Sequence, residues 1–340
     1  MKKAAALLLF VLSLTIVVVP TAIVLLFSQN RNQPKPVVQE AQAILARTLP
    51  QAIAKKSNAP AITVTVYRSA QKKTDRVALD DYLVGVVGSE MPATFHLEAL
   101  KAQALAARTY IIGKMMSDPG TTVTDTVQNQ VYNSRQDLKR IWGKDYNQRM
   151  AKIEAAVSQT EDEVITYQGK LITPAFFSTS NGQTENAADY WTAAVPYLRS
   201  VPSPWDKFSP KYKAEKTLNV SEVENALAVK LGSGDGDPGK VLRRTSTNHV
   251  AVYRIAGRNF TGREIREKLS LNSTDFQLKQ SGIRIVAITY GRGHDVGMSQ
   301  YGADGMAGEG KSAAQIVTYY YQGTSISKMN VTANHAIAIK

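Results

Sequence analysis

The sequence predicts a mixed α+β protein in which a single N-terminal transmembrane helix precedes a body of helices and strands with an inserted smaller lobe. A long uncharged apolar run, Ala4–Phe27, opens the chain. The β-branched run Ile62–Tyr67 is typical of a strand, and the alanine-rich segment Leu97–Ile112 is typical of a helix. Strand and helix patterns then follow one another without the regular alternation of a doubly wound fold, which favours the α+β class.

The run Ala4–Phe27 is long enough to cross a membrane, since a helix rises about 1.5 Å per residue and the hydrocarbon core is roughly 30 Å thick. Lys2 and Lys3 precede it and favour a cytoplasmic N-terminus with the rest of the chain on the outer side. A cleaved signal peptide is the alternative, but its apolar core is usually about 7–15 residues long and ends in small residues. Here the run ends in Leu25–Ser28, so we expect an uncleaved anchor in contact with membrane lipid.

Composition narrows the classes of partner. The chain contains no cysteine, which excludes disulfides and thiolate metal sites. The formal net charge of +13 suits anionic lipid headgroups or anionic wall polymers. The basic residues are scattered without interleaved aromatic residues, so we expect no nucleic-acid partner. The four histidines include no pair at ligand spacing, so we also expect no metal site and no cofactor.

Changes in composition divide the chain into parts. These are a cytoplasmic stub and anchor (1–27), a stalk rich in polar residues and proline (28–60), a body (61–204 and 281–326), an inserted lobe (205–280) and a C-terminal tail (327–340). The texture changes at Trp205, and the buried-strand pattern Ile283–Tyr290 is predicted to return the chain to the body.

Local patterns predict the elements of the body and the lobe in order. Ile62–Tyr67 and Arg76–Leu79 flank a polar break and predict a hairpin. Asp80–Asp81 suits the first turn of a helix, and Thr94 is the expected N-cap of the next one. Further predicted elements are the helix Asn147–Gln159, a hairpin of Val164–Tyr167 and Leu171–Ile172, a helix from Ser221, the strands Val241–Arg244 and Val250–Ile255, and helices near Thr261–Leu269 and Ala313–Tyr321.

Glu90 is a candidate general acid. A proline follows Met91 and disfavours helical geometry there, so Glu90 stands at the end of the first helix. Leu83, Val86 and Val87 would partly desolvate its carboxyl group, and desolvation raises the pKa as acid catalysis near neutral pH requires. Most glutamates at helix ends are solvated and inert, so the pattern alone does not assign a role.

Polar residues farther along are candidates for substrate binding. Arg108 and Tyr110 lie among alanines on the second helix, and structural packing explains them as well as a functional role does. Ser178–Glu185 is dense in hydroxyls and amides, which suit either carbohydrate recognition or a plain turn. Gly291–Gly302 is glycine-rich and lies between a buried strand and a helix, a usual location for functional loops. The candidates are Arg108, Tyr110, Ser178, Ser180, Asn181, Gln183, Glu185, His294, Asp295, Gln300 and Tyr301. No Gly-x-Ser-x-Gly elbow supports a serine hydrolase.

Three motifs occur in a suitable order and spacing. They are Ser89–Tyr110 (SEMPATFHLEALKAQALAARTY), Ser178–Glu185 (STSNGQTE) and Gly291–Ala303 (GRGHDVGMSQYGA). Together with the anchor they resemble the stage II sporulation protein D family of endospore-forming bacteria, over essentially the whole chain. The resemblance implies a peptidoglycan lytic transglycosylase of forespore engulfment, located in the septal membrane of the engulfing mother cell. It implies cleavage between N-acetylmuramic acid and N-acetylglucosamine in strands without stem peptides, leaving 1,6-anhydro ends.

The resemblance also implies roles and partners. It assigns the role of catalytic glutamate to Glu90. It also implies two partners, an amidase/endopeptidase and a polytopic sporulation membrane protein. Some relatives hold zinc through cysteines and a histidine in the segment matching Val123–Tyr132, which here contains neither, so no structural zinc is expected. Asp125, Gln130 and Tyr132 still match the family's pattern.

Lytic cleavage needs one carboxyl group, because the C6 hydroxyl of muramic acid attacks C1. Glu90 would act first as acid and then as base, with Glu185 or Asp295 stabilising positive charge as a hypothesis. Two alternatives stay open. One is a hydrolase that pairs Glu90 with Asp295 or Glu185. The other is a non-enzymatic scaffold that binds wall glycan and activates a partner enzyme.

Overall fold

The computed structural model describes residues 62–191, 193–331 and 337–339. Its helices are α1 (Leu79–Glu90), α2 (Leu97–Ser117), α3 (Arg135–Trp142), α4 (Tyr146–Ser158), α5 (Ala187–Trp191), α6 (Val220–Leu227), α7 (Gly262–Lys268), α8 (Gln300–Gly308) and α9 (Ala313–Tyr320). Its strands are β1 (Thr63–Arg68), β2 (Lys73–Ala78), β3 (Thr122–Thr124), β4 (Glu163–Tyr167), β5 (Lys170–Leu171), β6 (Phe176–Phe177), β7 (Lys213–Asn219), β8 (Gly234–Gly236), β9 (Gly239–Arg244), β10 (Val250–Ile255), β11 (Arg258–Thr261), β12 (Asp275–Gly282), β13 (Arg284–Tyr290), β14 (Met298–Ser299), β15 (Ser325–Val331) and β16 (Ile337–Ile339). This mixture confirms the α+β prediction.

The predicted membrane anchor lies outside the described residues. Within the described ranges, no helix is both long enough and apolar enough to span a membrane. The anchor Ala4–Phe27 and the stalk 28–60 fall outside those ranges, so both stay predictions.

Helix α2 lies at the centre of the larger hydrophobic core. Its Ala99, Ala102 and Ala106 are fully buried, and their small side chains let α1, α4, α8 and α9 approach closely. The helix begins at Leu97 as predicted, but the residue before it is His96, so the prediction of Thr94 as N-cap is wrong. The reason is a turn in the preceding backbone, where the N–H of Phe95 donates to the carbonyl of Pro92.

A three-stranded sheet flanks this core. β1 and β2 form the predicted antiparallel hairpin, and β3 pairs in parallel with β1. Val64 and Val66 are buried, because alternate residues of a strand point to the same face. The chain that leaves β3 then runs to the end of α1, where it meets Glu90.

A second hydrophobic cluster is built from residues between Leu218 and Ala287. It contains the sheet β7-β13-β12-β8, the sheet β11-β10-β9, and helices α6 and α7. The sequence analysis gave Ile283–Tyr290 to the body. Instead β13 pairs with β7 and β12, and its Ile285 and Ala287 belong to the second cluster. The observed strand therefore moves the end of this cluster beyond the predicted boundary at 280.

The C-terminal residues are not a simple tail. β4 and β5 form the predicted hairpin, and β15 adds to it by pairing with β4. Met329 of β15 is buried, and β16 pairs with β15. The described part of the predicted tail 327–340 therefore forms strands. Sequence reasoning missed these strands because their pairing partner lies far earlier in the chain, where no local pattern reveals it.

Candidate active site

Glu90 is the last residue of α1, as the sequence predicts. The chain turns to extended geometry at Met91, because Pro92 follows it. The Glu90 side chain is half-buried, and its Oε1 accepts a hydrogen bond of 2.9 Å from the backbone N–H of Val131. Burial raises the pKa of Glu90, while the bonds from Val131 and from the side chain of Gln300 oppose the shift. The carboxyl group therefore holds a proton more readily than a solvated glutamate does.

Amide groups surround this carboxyl group. Gln300 begins α8, and its Nε2 lies 3.5 Å from Oε1 of the fully buried Gln103. Tyr82 donates from its hydroxyl to Oε1 of Gln130 at 3.1 Å. The Nε2 atoms of Gln103 and Gln130 are buried and have no hydrogen-bond partner within the described residues. Buried donors without a partner are rare in folded proteins, because leaving them unpaired is costly.

The segment that carries Val131 is held by a buried arginine. Arg68 hydrogen-bonds Asp125 at 3.2 Å and Asp137 at 2.5 Å, so it ties together the two ends of the segment. Its guanidinium also lies over the ring of Tyr132, 5.1 Å from the centroid. Sequence reasoning missed Arg68, because its carboxylate partners lie 57 and 69 residues away.

A glycine lets the same segment approach α1. A Cβ on Gly85 would lie 2.4 Å from Cε2 of Tyr132 and 2.5 Å from the carbonyl oxygen of Asn133. The ring of Tyr132 stacks on Tyr82 with a centroid separation of 5.5 Å. Tyr110, a predicted binding residue, accepts a hydrogen bond of 2.8 Å from Asn129 of this segment. Tyr110 therefore lies beside the segment that meets Glu90.

Arg108 does not line this site. Its side chain is fully buried, and it donates to the carbonyls of Val157 and Thr160 near the C-terminal end of α4. Cations suit this position, because a helix leaves carbonyl groups unpaired at its C-terminal end. These contacts occupy the Arg108 side chain, and substrate binding by Arg108 stays a prediction.

The two predicted loops meet each other. Isolated bridges join Thr179 to Arg292 and Glu185 to Val296. Between the loops lies Asp206, which is fully buried and accepts hydrogen bonds from the hydroxyls of Ser180 (2.5 Å) and Ser299 (2.6 Å). Burial raises the pKa of Asp206. Ser180 therefore serves to join the loops, through a carboxylate that no local pattern indicated.

Glu185 and Asp295 share a partner that the sequence analysis missed. His249 contacts Oε2 of Glu185 at 2.9 Å through Nδ1 and Oδ2 of Asp295 at 2.7 Å through Nε2. All three are buried. Burial opposes charge on His249, but the two carboxylates outweigh it and raise the pKa of the imidazole. The result is a buried ionic cluster in which both carboxylates bind His249, while Oδ1 of Asp295 is buried without a partner within the described residues.

The remaining predicted residues contact other parts of the protein. Asn181 donates to the carbonyl of Thr247 and to Asp275, and Gln183 donates to Ser200. These bonds join the loop of Asn181 and Gln183 to neighbouring parts of the chain, and none of them involves Glu90. The carbonyl of Ser178 accepts from the N–H of Tyr301, while the buried Oγ of Ser178 has no partner within the described residues.

His294 packs among aromatic rings. The centroids of Phe177, Tyr190 and Trp191 lie 5.4–5.9 Å from its own. Burial, together with the positive charges of Arg266 and Arg263, lowers the pKa of His294 to about 4. The neutral ring accepts a hydrogen bond from the N–H of Val296. These contacts indicate that His294 packs against its aromatic neighbours, and substrate binding by it stays a prediction.

The structure therefore brings Glu90 together with Gln300 and places Tyr110 nearby, whereas Arg108, Glu185, Asp295 and His294 make other contacts. Tyr301 follows Gln300 directly, and its ring packs edge-on against Phe95 at 4.9 Å. Within the described ranges, no group of three His, Cys, Asp or Glu residues is arranged to hold a metal ion.

The sequence is similar to a family model and to several named proteins. Residues 67–167 match the family model described as Stage II sporulation protein. The chain is 46% identical over 344 residues to Stage II sporulation protein D of Bacillus subtilis (strain 168), covering 99% of this chain and 100% of that one. It is 50% identical over 273 residues to the protein of the same name from Bacillus amyloliquefaciens, covering 78% and 79%. It is also 30% identical over 298 residues to the Amidase enhancer of Bacillus subtilis (strain 168), covering 72% of this chain and 40% of that one.

Proposed function

This chain belongs to the stage II sporulation protein D family, and from that premise we propose that it is a membrane-anchored peptidoglycan lytic transglycosylase of sporulation. Its substrate is the glycan strand without stem peptides. It cleaves between N-acetylmuramic acid and N-acetylglucosamine and leaves 1,6-anhydro ends during engulfment of the forespore.

The observation that carries this proposal is the environment of Glu90. Its carboxyl group is half-buried at a helix end, and burial raises its pKa. A general acid needs such a group, because it must hold a proton near neutral pH and still release it in the transition state.

The reaction uses the Glu90 carboxyl group twice. Protonated Glu90 donates to the bridging oxygen as the bond from that oxygen to C1 of muramic acid breaks. The C6 hydroxyl oxygen of the same sugar then bonds to C1, and its proton passes to the Glu90 carboxylate. The acid is regenerated and no water is consumed, so a second carboxylate is not required.

The groups around Glu90 support both halves of the reaction. The N–H of Val131 and the side chain of Gln300 stabilise the carboxylate that exists between the two proton transfers.

The two-carboxylate hydrolase is less well supported. Glu185 and Asp295 are buried and bound to His249, so neither is available to activate water beside Glu90. The earlier idea that they stabilise positive charge on the sugar loses support for the same reason.

A scaffold role is favoured by one specific observation, the similarity to a protein named Amidase enhancer. In this second candidate function the chain binds wall glycan and activates a partner amidase without cleaving the strand. The proposed partners are an amidase/endopeptidase and a polytopic sporulation membrane protein. The proposed location is the septal membrane of the engulfing mother cell, with the N-terminus cytoplasmic and the body outside.

The test uses the full-length protein in detergent with glycan strands stripped of stem peptides. Glu90→Gln should lower the cleavage rate by about 10³-fold, within the range for loss of a general acid, while strand binding is kept. Glu161→Gln, which changes an exposed carboxylate, is the matched control and should cleave normally. Substantial turnover by Glu90→Gln would refute the assignment. Full sporulation with Glu90→Ala would favour the scaffold.

A further inference from the structure

Two cations lie where the ladder of β7 and β13 ends. Tyr290 pairs with Lys213, and the N–H of Gly291 then donates to the carbonyl of Tyr212 at 2.7 Å. Lys211 and Arg292 flank this contact. Lys211 lies in a turn just before β7, and the backbone of Arg292 pairs with Thr179. Both side chains are exposed.

The pair has no acidic counterpart in the described part of the chain. No carboxylate there lies within 4.0 Å of the Lys211 ammonium or the Arg292 guanidinium. Like charges held close together repel each other. Burial and the charge of Arg292 both lower the pKa of Lys211, as expected for cations that repel. An anion bound between them would relieve this repulsion.

The pair lies close to residues that lead to Glu90. The Lys211 Nζ lies 5.6 Å from the ring centroid of Tyr301. Lys211 therefore lies beside the ring of Tyr301. Tyr301 is adjacent in sequence to Gln300, whose side chain contacts Glu90.

The proposed substrate carries an anion of suitable chemistry. Each muramic acid bears a lactyl ether whose carboxyl group is joined to the stem peptide by an amide bond. Removal of the peptide exposes that carboxyl group as a carboxylate. Cations bind carboxylates through charge-assisted hydrogen bonds, and an aromatic ring suits the apolar face of a sugar.

We propose that Lys211 and Arg292 bind the free lactyl carboxylate of peptide-free muramic acid, with Tyr301 against the sugar ring. This inference rests on the proposed function, since it names the group by which the same site selects its strands. A strand that keeps its stem peptides has an amide in place of this carboxylate, and so loses the attraction.

The experiment compares two preparations of peptide-free strands. In one the lactyl carboxylates are intact, and in the other carbodiimide coupling with methylamine has converted them to neutral amides. Binding is measured with fluorescently labelled strands and full-length Glu90→Gln protein in detergent, so that no strand is cleaved. The same protein then carries Lys211→Met with Arg292→Met. Lys279→Met, an exposed cation of β12, is the matched control.

Intact strands should bind about 10-fold more tightly than amidated strands, and the double variant should bind both equally weakly. Lys279→Met should keep the preference. A preference that survives in the double variant, or its absence in the parent protein, would overturn the inference. Because binding is read without cleavage, failure of wild-type protein to cut either preparation would count against the proposed function alone.

Discussion

Glu90 and the cluster of Glu185, His249 and Asp295 are two ways of burying carboxylates in one protein. At Glu90 the carboxyl group receives one backbone N–H and one amide, and burial raises its pKa. In the cluster a histidine lies between two carboxylates at 2.9 and 2.7 Å. The charges there compensate one another, whereas Glu90 has no cationic partner among its hydrogen bonds.

The difference separates reactivity from structure. A carboxylate bound to a cation is held in a fixed geometry, although burial still raises the pKa of Asp295 to about 6. A carboxyl group desolvated without a cation has a raised pKa and holds its proton more readily than a solvated one. Asp206 is a further buried carboxyl group without a cation, but the hydroxyls of Ser180 and Ser299 bind it and it is fully buried, whereas Glu90 is only half-buried.

The largest effect is expected from substitution of His249, which lies between the two carboxylates of the cluster. His249→Gln removes the positive charge between two buried carboxylates, so the free energy of unfolding should fall by about 3–5 kcal/mol in chemical denaturation. The pKa of His249 is raised to about 10, so its stabilisation is complete below its ordinary pKa of 6.5 and is lost as pH rises through about 10. His96→Gln changes an exposed histidine paired with Asp304 and should cost less than about 1 kcal/mol. Equal losses in the two variants would contradict the structural role of the cluster.

The next largest effect is expected when the backbone N–H of Val131 is moved away from Glu90. Gly85→Ala forces Tyr132 and Asn133 away from α1, and the displaced segment takes the N–H of Val131 with it. The cleavage rate should fall by about 10²-fold, since small displacements at a reacting centre are costly. Gly113→Ala is the control, because its Cβ meets only Leu171 at 3.9 Å and alanine favours a helix. Normal cleavage by Gly85→Ala would show that Val131 does not position Glu90.

The smallest effect sharpens the comparison through stability. Burial raises the pKa of Glu90, so ionisation opposes folding as pH rises above the ordinary value of 4.5. Glu90→Gln removes this penalty and should raise Tm by roughly 1–3 °C at about pH 7, with no gain at about pH 4. Thermal melts of both proteins measure this. A variant that melts lower than wild type at neutral pH would mean that the Glu90 carboxylate stabilises the fold.

Sequence reasoning succeeded where the signal is local. Pro92 ends α1 just after Glu90, and β-branched and alanine-rich runs located β1 and α2. It failed where a partner is distant in the chain. His249 lies 46 residues before Asp295, so nothing near either residue predicts their contact. The small neighbours of Arg108 left packing and function equally open, and its contacts with the carbonyls of Val157 and Thr160 became visible only in the fold.

The same limit applies to the candidate site. Glu90 and Gln300 were identified within motifs, but the unpartnered amides of Gln103 and Gln130 are visible only once α2 and the segment after β3 have met. Asp206 stood in a stretch without a motif, yet it joins Ser180 to Ser299. Contacts of this kind depend on tertiary packing, which periodicity and local propensity do not specify.

The central claim is that Glu90 cleaves the glycan without a second carboxylate and without water. Wild-type protein should be incubated with peptide-free strands in isotopically labelled water, and the new ends analysed by mass spectrometry. The account predicts 1,6-anhydro muramic acid ends that carry no label. Reducing ends that have incorporated labelled oxygen would contradict it, because they require a water molecule activated by another group.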